Sequence, residues 1–234
     1  MSNVINNTTC WQLEVAKAIT VLGVLLVACP LWAQRPQVEI RTELGTMVIE
    51  LYNETPQHRD NFIKLVEEET YDSLLFHRVI PGLMIQSGDT DSKLAAPGVA
   101  LGSGGQAYTI EAEIIRGAIH KKGALAAARQ PDETNPEKRS SGCQFYIVHG
   151  RNYQPDDLAR LRFRREAQGD TITYTEADQR AYSTGGGAPH LDGNYTVFGE
   201  VIDGLDVIDA IANLPCDAMN RPLNDLRIYM RVLK

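Results

Sequence analysis

Short β-prone runs separated by glycine and proline turns fill most of the chain from Val38 onward. Two such runs, over 38–44 and 46–52, flank Gly45 in the manner of a hairpin. Further runs with strand character follow at 144–148, 195–201 and 226–233. Many short strands leave many unpaired edges unless the sheet curls and closes on itself. The pattern therefore predicts a mainly β protein built on one closed or nearly closed barrel.

Two helices are predicted among the strands. Thr55 and Pro56 offer a capping hydroxyl followed by a proline at the first helical position, and the helix they begin should fade by Glu69. A second helix is expected to open at Asp203 and Gly204. Apolar residues recur along both segments at helical spacing, so each helix has one face to bury.

The segment 152–189 does not follow the β pattern. It is polar, and it predicts one helix over 156–167 and another over 176–182, with Thr175 as the N-cap of the second. Its arginines are interleaved with acidic side chains, which favours a solvated helical insertion over an anion-binding site. These arginines are Arg160, Arg162, Arg164 and Arg165.

Residues 1–33 are predicted to be a leader and not part of the fold. An uncharged apolar run over 18–32 has the length of a signal-peptide core and is short for a membrane span. Two processing routes stay open. Residues 26–29 resemble a bacterial lipobox, which would make Cys29 a lipidated first residue, whereas cleavage before Gln34 would leave no lipid. Either route predicts export to the periplasm, with a lipid on Cys29 as the sole attachment to the membrane of the envelope.

Charge and motif spacing exclude several classes of function. The net charge of −7 argues against a nucleic-acid partner, which would require a basic face. The five histidines lack the spacing of metal ligands, and the glycines of 102–105 lack the lysine of a phosphate loop. We therefore expect no metal and no cofactor. Cys143 and Cys216 would remain after export, either paired or as separate buried side chains.

The segment 76–89 holds the side chains that best fit a site. Arg78 is an always-charged donor on a strand-like run, and a turn at 81–82 returns the chain toward it. Gln86 should then be able to reach and orient that cation. His77 is interpreted as a residue that makes a structural hydrogen bond. A fixed cation beside apolar residues suits a neutral, partly apolar substrate that bears a carbonyl group.

The same segment resembles the signature of cyclophilin-type peptidyl-prolyl cis-trans isomerases, in particular bacterial exported members. Four other blocks resemble the family in the same order, at 55–65, 120–128, 141–147 and 191–201. The resemblance covers roughly 38–150 and 190–233. It implies a closed eight-stranded antiparallel barrel capped by two helices, in a domain over 38–234 that carries 152–189 as an insertion. Because the insertion joins Gly150 to Leu191, we hypothesise that it overhangs the substrate groove.

Carried over residue by residue, the resemblance makes Arg78 the catalytic residue. The substrate-binding residues that it implies are Leu83, Met84, Gln86, Ala128, Arg129, Gln144, Tyr146, His190, Leu191 and Tyr195. Ala128 and Arg129 match a stretch whose backbone pairs with the peptide. Leu83 stands where phenylalanine is usual, which predicts a softer prolyl slot. His190 stands where many members have tryptophan, which predicts weak binding of cyclosporin-like ligands.

The implied substrates are proline-containing unfolded or extended polypeptides, and the implied protein is a monomer that assists the folding of exported proteins. Rotation about an X–Pro bond is slow because it breaks amide resonance, and it requires no nucleophile. An arginine can favour the twisted amide through fixed donors. The alternative is a weakly or non-catalytic chaperone module that binds proline peptides, motivated by Leu83 and His190.

Overall fold

The computed structural model describes residues 34–233, and the structural statements below concern that part of the chain. The predicted leader and the candidate lipidation site Cys29 lie outside the described residues. Within 34–233, no helix is long and apolar enough to cross a membrane.

The described chain contains ten strands and four α-helices. The strands are β1 (Gln37–Thr42), β2 (Gly45–Leu51), β3 (Arg78–Ile80), β4 (Met84–Ser87), β5 (Thr109–Ile110), β6 (Ala124–Ala127), β7 (Ser140–Ser141), β8 (Phe145–Val148), β9 (Val197–Asp203) and β10 (Tyr229–Leu233). The helices are α1 (Pro56–Glu67), α2 (Pro155–Glu166), α3 (Glu176–Thr184) and α4 (Leu205–Ala212).

Eight of these strands form one antiparallel sheet in the order β10-β1-β2-β9-β6-β8-β4-β3, and β5 pairs with β7 separately. The predicted eight-stranded antiparallel architecture is confirmed, but the word closed overstates it. Within 34–233, the end strands β3 and β10 do not pair with each other. The segments 73–76 and 226–228 join the seam instead, through the bridge between Leu75 and Arg227 and through backbone hydrogen bonds of 2.9–3.0 Å. The physical reason is a loop beside β3, since the Val79 N–H donates to the Asn220 carbonyl at 2.8 Å.

The core lies on the inner face of this curved sheet. Strand alternation buries Val38 and Ile40 of β1 completely. Helix α1 contributes Phe62, whose ring lies 5.1–5.5 Å from three other aromatic rings, those of Tyr71, Phe145 and Phe198. Helix α4 buries Val207, Ile208, Ile211 and Ala212. The two predicted capping helices are therefore confirmed.

The N-terminus of α1 is capped differently from the prediction. The Thr55 hydroxyl makes no capping bond and lies 3.4 Å from the Tyr52 carbonyl. The carboxylate of Glu113 accepts the N–H groups of Gln57 and His58 instead, at 3.1 and 2.9 Å. An ionised carboxylate is a stronger acceptor than a hydroxyl and complements the positive end of the helix dipole.

The two helices predicted within 152–189 are confirmed as α2 and α3. The Thr175 hydroxyl accepts the Asp178 N–H at 3.2 Å, as its N-cap role requires. The solvated interpretation is wrong for one arginine. Arg165 is only 7% exposed, and its Nη2 donates to the Asp170 carboxylate at 2.6 Å and to the Asp192 carbonyl at 2.7 Å. Arg165 thus ties the insertion to the barrel.

Candidate active site

The hairpin of β3 and β4 places the predicted catalytic cation. In this pair Arg78 lies opposite Gln86, and Ile80 lies opposite Met84. The connecting turn contains Gly82 at a φ of 76°, a left-handed conformation that glycine adopts without a steric penalty. The turn predicted at 81–82 is therefore confirmed.

A row of side chains crosses three neighbouring strands. Tyr146 of β8 lies opposite Gln86 of β4, which lies opposite Arg78 of β3. The alternate residues Val79 and Ile85 have no exposed surface and face the core. Because opposed residues in a sheet share a face, Arg78, Gln86 and Tyr146 point together to the outer side.

A groove of about 250 Å³ lies over this row. It is lined by nine of the eleven residues predicted for the site: Arg78, Leu83, Met84, Gln86, Ala128, Arg129, Tyr146, Leu191 and Tyr195. The other two lie beside it. Gln144 Oε1 accepts a hydrogen bond from Gln86 Nε2 at 3.0 Å, and His190 is exposed next to Leu191.

A chain of amides holds the cation in place. Arg78 Nη1 donates to Gln86 Oε1 at 3.3 Å, which confirms that Gln86 reaches the guanidinium. Gln144 Nε2 in turn donates to the carbonyls of Gly102 and Gly104 at 3.0 and 2.7 Å. Among residues 34–233, Arg78 has no carboxylate partner. Its remaining N–H donors are therefore free to meet a neutral acceptor in the groove.

Apolar side chains form the floor and rim. Met84 and Tyr146 are 4% and 5% exposed, and Leu83, Leu191 and Tyr195 pack against the same apolar cluster as partly buried residues. Burial raises the pKa of the Tyr146 hydroxyl well above its usual value, so this residue stays neutral. The floor is thus uncharged and suits a small apolar ring.

The Arg129 side chain is committed to the protein itself. Its guanidinium lies 4.5 Å from the centroid of the Tyr195 ring, in cation–π geometry. Its Nε donates to the Asn194 carbonyl at 2.8 Å, and its Nη1 pairs with Asp132 at 2.5 Å. Arg129 therefore stiffens this wall of the groove and does not add a free charge.

The backbones of Ala128 and Arg129, both predicted to pair with the peptide, differ in how far the protein already uses them. The Ala128 N–H donates to the Gln144 carbonyl at 3.0 Å, and the Ala128 carbonyl accepts the Ser141 N–H at 2.8 Å. Internal pairing therefore uses both groups of Ala128. In the described part of the chain the backbone N–H and carbonyl of Arg129 have no partner, which leaves them available to an extended peptide.

The hydrogen bond predicted for His77 is not found. The ring is buried, and neither nitrogen has a hydrogen-bond partner among the described residues. The neighbouring Gly102 gives its backbone N–H to the Asp89 carboxylate and not to this ring. Burial lowers the pKa of His77 to about 4, although the charge of Asp89 opposes the shift. His77 is therefore a neutral packing residue.

Two residues behind the groove were missed in the sequence. The Tyr146 hydroxyl lies 2.9 Å from His120 Nε2, and His120 Nδ1 lies 2.8 Å from Asp192 Oδ1, both within hydrogen-bond distance. We call Tyr146, His120 and Asp192 the groove cluster. The available signal was the tyrosine itself, because a hydroxyl beneath an apolar floor requires a buried partner.

A second set of the same groups lies beside helix α1. Ser140 Oγ lies 2.9 Å from His58 Nε2, and His58 Nδ1 lies 2.6 Å from Glu113 Oε2. We call Ser140, His58 and Glu113 the α1 cluster. Ser140 is 1% exposed and the adjacent cavity holds only about 10 Å³, so no substrate reaches this serine. The spacing is that of a nucleophile and its base, but the surroundings make it structural.

The cysteines and acidic residues give no further chemistry here. Cys143 and Cys216 are both free, so they do not pair. Burial raises the pKa of the Cys143 thiol, whose Sγ lies 3.0 Å from the Gly88 carbonyl. Residues 34–233 contain no group of three or more histidine, cysteine, aspartate or glutamate side chains placed to hold a metal ion.

Comparison with known proteins identifies the family to which this chain is similar. The family model described as cyclophilin type peptidyl-prolyl cis-trans isomerase matches residues 37–232. A Staphylococcus aureus protein named as a peptidyl-prolyl cis-trans isomerase is 33% identical over 196 residues, which cover 82% of this chain and 88% of that protein. A Streptococcus pyogenes protein named as a bifunctional phosphatase/peptidyl-prolyl cis-trans isomerase is 34% identical over 201 residues. This chain spans only 37% of the length of that longer protein.

Solved structures agree on the fold. A Cryptosporidium parvum cyclophilin-type isomerase superposes with a TM-score of 0.61 at 23% identity, covering 86% of this chain and 98% of that one. A second structure of that protein, obtained in the presence of the dipeptide Ala-Pro, gives a TM-score of 0.59. At this identity the likeness supports the arrangement of strands and helices alone.

Proposed function

The chain belongs to the cyclophilin-type peptidyl-prolyl cis-trans isomerase family, and we propose that the groove around Arg78 is where it binds proline-containing segments of extended polypeptides and rotates their X–Pro bonds. Isomerisation of prolyl bonds is the activity that the family match over 37–232 supports. The observation that carries the site assignment is the convergence of nine predicted residues on one groove beside Arg78, which has no carboxylate partner within 34–233.

The proline ring is proposed to lie on the floor made by Met84 and Tyr146. Both are nearly buried and neutral, so an apolar ring loses little on leaving water for this surface. Leu83 offers a branched aliphatic wall where an aromatic ring would offer a flat one. The Cryptosporidium parvum protein, solved in the presence of Ala-Pro, supports prolyl-peptide binding by this fold.

Arg78 is proposed to supply the electrostatic part of catalysis. Rotation about the X–Pro bond has a barrier of about 20 kcal/mol because it disrupts amide resonance. A guanidinium held by Gln86 can donate to the prolyl nitrogen or to a flanking carbonyl as the bond twists. Its donors are already oriented, so stabilising the twisted amide requires little rearrangement of the protein. No covalent intermediate is needed.

The peptide is proposed to be held in an extended form beside Arg129. The free N–H and carbonyl of that residue can pair with a peptide backbone as an added strand would. Arg129 is itself fixed by Tyr195 and Asn194, so its backbone is preorganised for this pairing. Backbone hydrogen bonds require an extended peptide but do not depend on its side chains, so this mode of binding suits unfolded polypeptides of varied sequence.

The cellular setting is part of the same proposal. The apolar run over 18–32 supports export, and folding of exported proteins in the periplasm is the role we propose for a monomeric enzyme. Lipidation at Cys29 and processing before Gln34 remain the two routes. Mass spectrometry of the mature N-terminus distinguishes them, and retention of residues 1–33 in the mature protein would contradict both.

The enzyme assignment has one direct test. The cis-to-trans conversion of a short X-Pro peptide is measured with the wild type, with Arg78→Ala, and with Arg160→Ala as a control at an exposed arginine of α2. We expect kcat/KM to fall by about 10²–10³ for Arg78→Ala, the usual cost of losing a preorganised donor, and to stay unchanged for Arg160→Ala. Background rates for all three proteins would contradict catalysis.

A second candidate function follows from Leu83 and from His190, which is exposed at the rim. A prolyl-binding site with Leu83 in place of an aromatic ring and without an indole at 190 would bind proline peptides and isomerise them slowly, as expected of a chaperone module. Peptide binding without turnover in the same assay would favour this alternative.

A further inference from the structure

A buried chain of hydrogen bonds leads from the groove floor into the insertion. Tyr146 is bonded to His120, and His120 to Asp192, at 2.9 and 2.8 Å. His120 is 0% exposed and Asp192 is 1% exposed, so water does not compete for these bonds. The His120 backbone N–H also donates to Asp192 Oδ1, at 2.7 Å.

The other oxygen of Asp192 is bound by the insertion. The hydroxyls of Tyr174 and Tyr182 lie 3.0 and 2.5 Å from Asp192 Oδ2. Arg165 adds a bond to the Asp192 backbone carbonyl at 2.7 Å. Three side chains of 152–189 therefore hold the residue that follows the groove rim at Leu191.

The insertion does not reach the groove directly. None of the residues that line the groove belongs to 152–189. The overhang expected from the sequence is therefore not what connects this segment to the site. The connection runs behind the floor, through Asp192 and His120.

The carboxylate of Asp192 can only accept a hydrogen bond, so the relay places a hydrogen on His120 Nδ1. In that tautomer Nε2 has a lone pair that accepts the Tyr146 hydroxyl. The hydroxyl hydrogen thus points away from the substrate, and the ring faces it. Tyr146 is also nearly parallel to His120, at 14°, and edge-on to Tyr195. Its orientation depends on His120 remaining in place.

We propose that Tyr174 and Tyr182 are positioning residues that act through Asp192 and His120 to hold Tyr146 in its peptide-binding geometry. The insertion thereby sets the affinity of the groove from behind it. This inference rests on the proposed function of the groove.

The kinetic signature follows from the part played by the floor. A floor that cradles the proline ring contacts the substrate before and during rotation alike. Loosening it weakens both states by similar amounts, so KM rises while kcat changes little. Loss of the Arg78 side chain, in contrast, lowers kcat/KM because it removes stabilisation of the twisted amide in the transition state. The two kinds of defect can be told apart.

The test removes one hydroxyl at a time from the full chain. Tyr182→Phe and Tyr174→Phe are compared with Tyr153→Phe, which removes a hydroxyl of the same segment that contacts Arg151 and not Asp192. Loss of one hydrogen bond corresponds to about two- to tenfold in KM. We expect that rise for the first two variants with kcat unchanged, and wild-type constants for Tyr153→Phe. Unchanged KM in both Tyr174→Phe and Tyr182→Phe would overturn the proposal.

A double-mutant cycle separates positioning from general loosening. If Tyr182 acts through the Tyr146 hydroxyl, Tyr182→Phe should raise KM in the wild type and add nothing in a Tyr146→Phe background. Additive effects would contradict the relay. Thermal unfolding of each variant shows whether it is folded, and should Tyr182→Phe not fold, the same cycle is run with Tyr174→Phe.

Nitrogen NMR of the imidazole gives an independent readout. The relay requires His120 to carry its proton on Nδ1, and a hydrogen on Nε2 would contradict it. This measurement does not depend on activity. If Arg78→Ala has wild-type activity, the proposed catalytic site is wrong. If Arg78→Ala is inactive but Tyr174→Phe and Tyr182→Phe keep the wild-type KM, the relay is wrong and the catalytic site stands.

Discussion

The groove cluster and the α1 cluster contain the same three kinds of group in different surroundings. In each, a hydroxyl, an imidazole and a carboxylate are joined by contacts of 2.6–2.9 Å. The carboxylate of the α1 cluster also holds the first turn of a helix. The hydroxyl of the groove cluster belongs to Tyr146, whose ring is the floor of the groove. The groups joined to the hydroxyl and to the carboxylate of each cluster therefore decide whether the cluster stabilises the fold or shapes the groove.

Among the changes that test whether the α1 cluster serves stability alone, the largest loss of stability is expected from removing its carboxylate, Glu113. In Glu113→Ala, the N–H groups of Gln57 and His58 and the His58 ring lose one shared acceptor. The two donors of His58 are buried, and a buried donor without a partner costs about 1–3 kcal/mol, so we expect the free energy of unfolding to fall by about 4 kcal/mol. Urea denaturation measures this change. Catalytic constants of the folded fraction should stay at wild-type values.

The control for Glu113→Ala is Glu111→Ala, a nearby glutamate whose side chain is 71% exposed and lies 3.5 Å from Arg139. Exposed pairs of this kind contribute about 1 kcal/mol or less. Equal losses of stability in the two variants, or a changed kcat/KM in Glu113→Ala, would contradict a purely structural α1 cluster.

A third buried histidine, His77, differs from His58 and His120 because neither of its ring nitrogens has a hydrogen-bond partner among residues 34–233. The pKa of His77 is lowered to about 4 by burial, with Arg78 and Arg221 adding to the shift and Asp89 opposing it. Between about pH 6.5 and 4 the unfolded chain therefore binds a proton that the folded protein does not. Stability is full above that window and falls as the pH decreases through it, by about 3 kcal/mol.

The measurement for His77 is the free energy of unfolding at pH 7 and pH 4, for the wild type and for His77→Gln. The variant cannot take up the proton, so its stability should fall by about 3 kcal/mol less over this interval. Burial also lowers the pKa of His58, which adds a loss of the same sign in both proteins and cancels in the difference. Parallel losses in the two proteins would show that His77 is not the group responsible.

Much of the fold could be predicted because its signals are local. Alternation along β1 fixes which residues face inward, and Val38 and Ile40 are fully buried as that pattern requires. Thr175 carries a hydroxyl group and lies three residues before Asp178, a spacing typical of an N-cap, and its side chain caps α3 as expected. The residues that line the groove were predicted from the family resemblance, whereas the contact between Gln86 and Arg78 was predicted from the turn that joins their two strands.

The features that were missed depend on contacts between distant residues. Glu113 caps a helix that begins more than fifty positions earlier, and it lies 56 positions after Gln57 in the sequence. Asp192 meets His120 across 72 positions. Many carboxylates are chemically able to make these contacts, and local propensity does not say which one the folded chain brings there. Hence the partners of a buried side chain were harder to predict than its burial.

The smallest effect is a matched pair that tests the comparison directly. Ser140→Ala and Tyr146→Phe each remove a hydroxyl that lies 2.9 Å from the Nε2 atom of a buried imidazole, so each leaves that nitrogen without its hydrogen-bond partner. A net contribution of about 1 kcal/mol to stability is expected from either bond. Only Tyr146 belongs to the groove floor, so KM should rise about two- to tenfold for Tyr146→Phe and stay constant for Ser140→Ala. Prolyl-peptide kinetics with thermal unfolding measure both quantities. A raised KM in Ser140→Ala would mean that the α1 cluster also shapes the groove, and the division between a stabilising and a binding cluster would then be wrong.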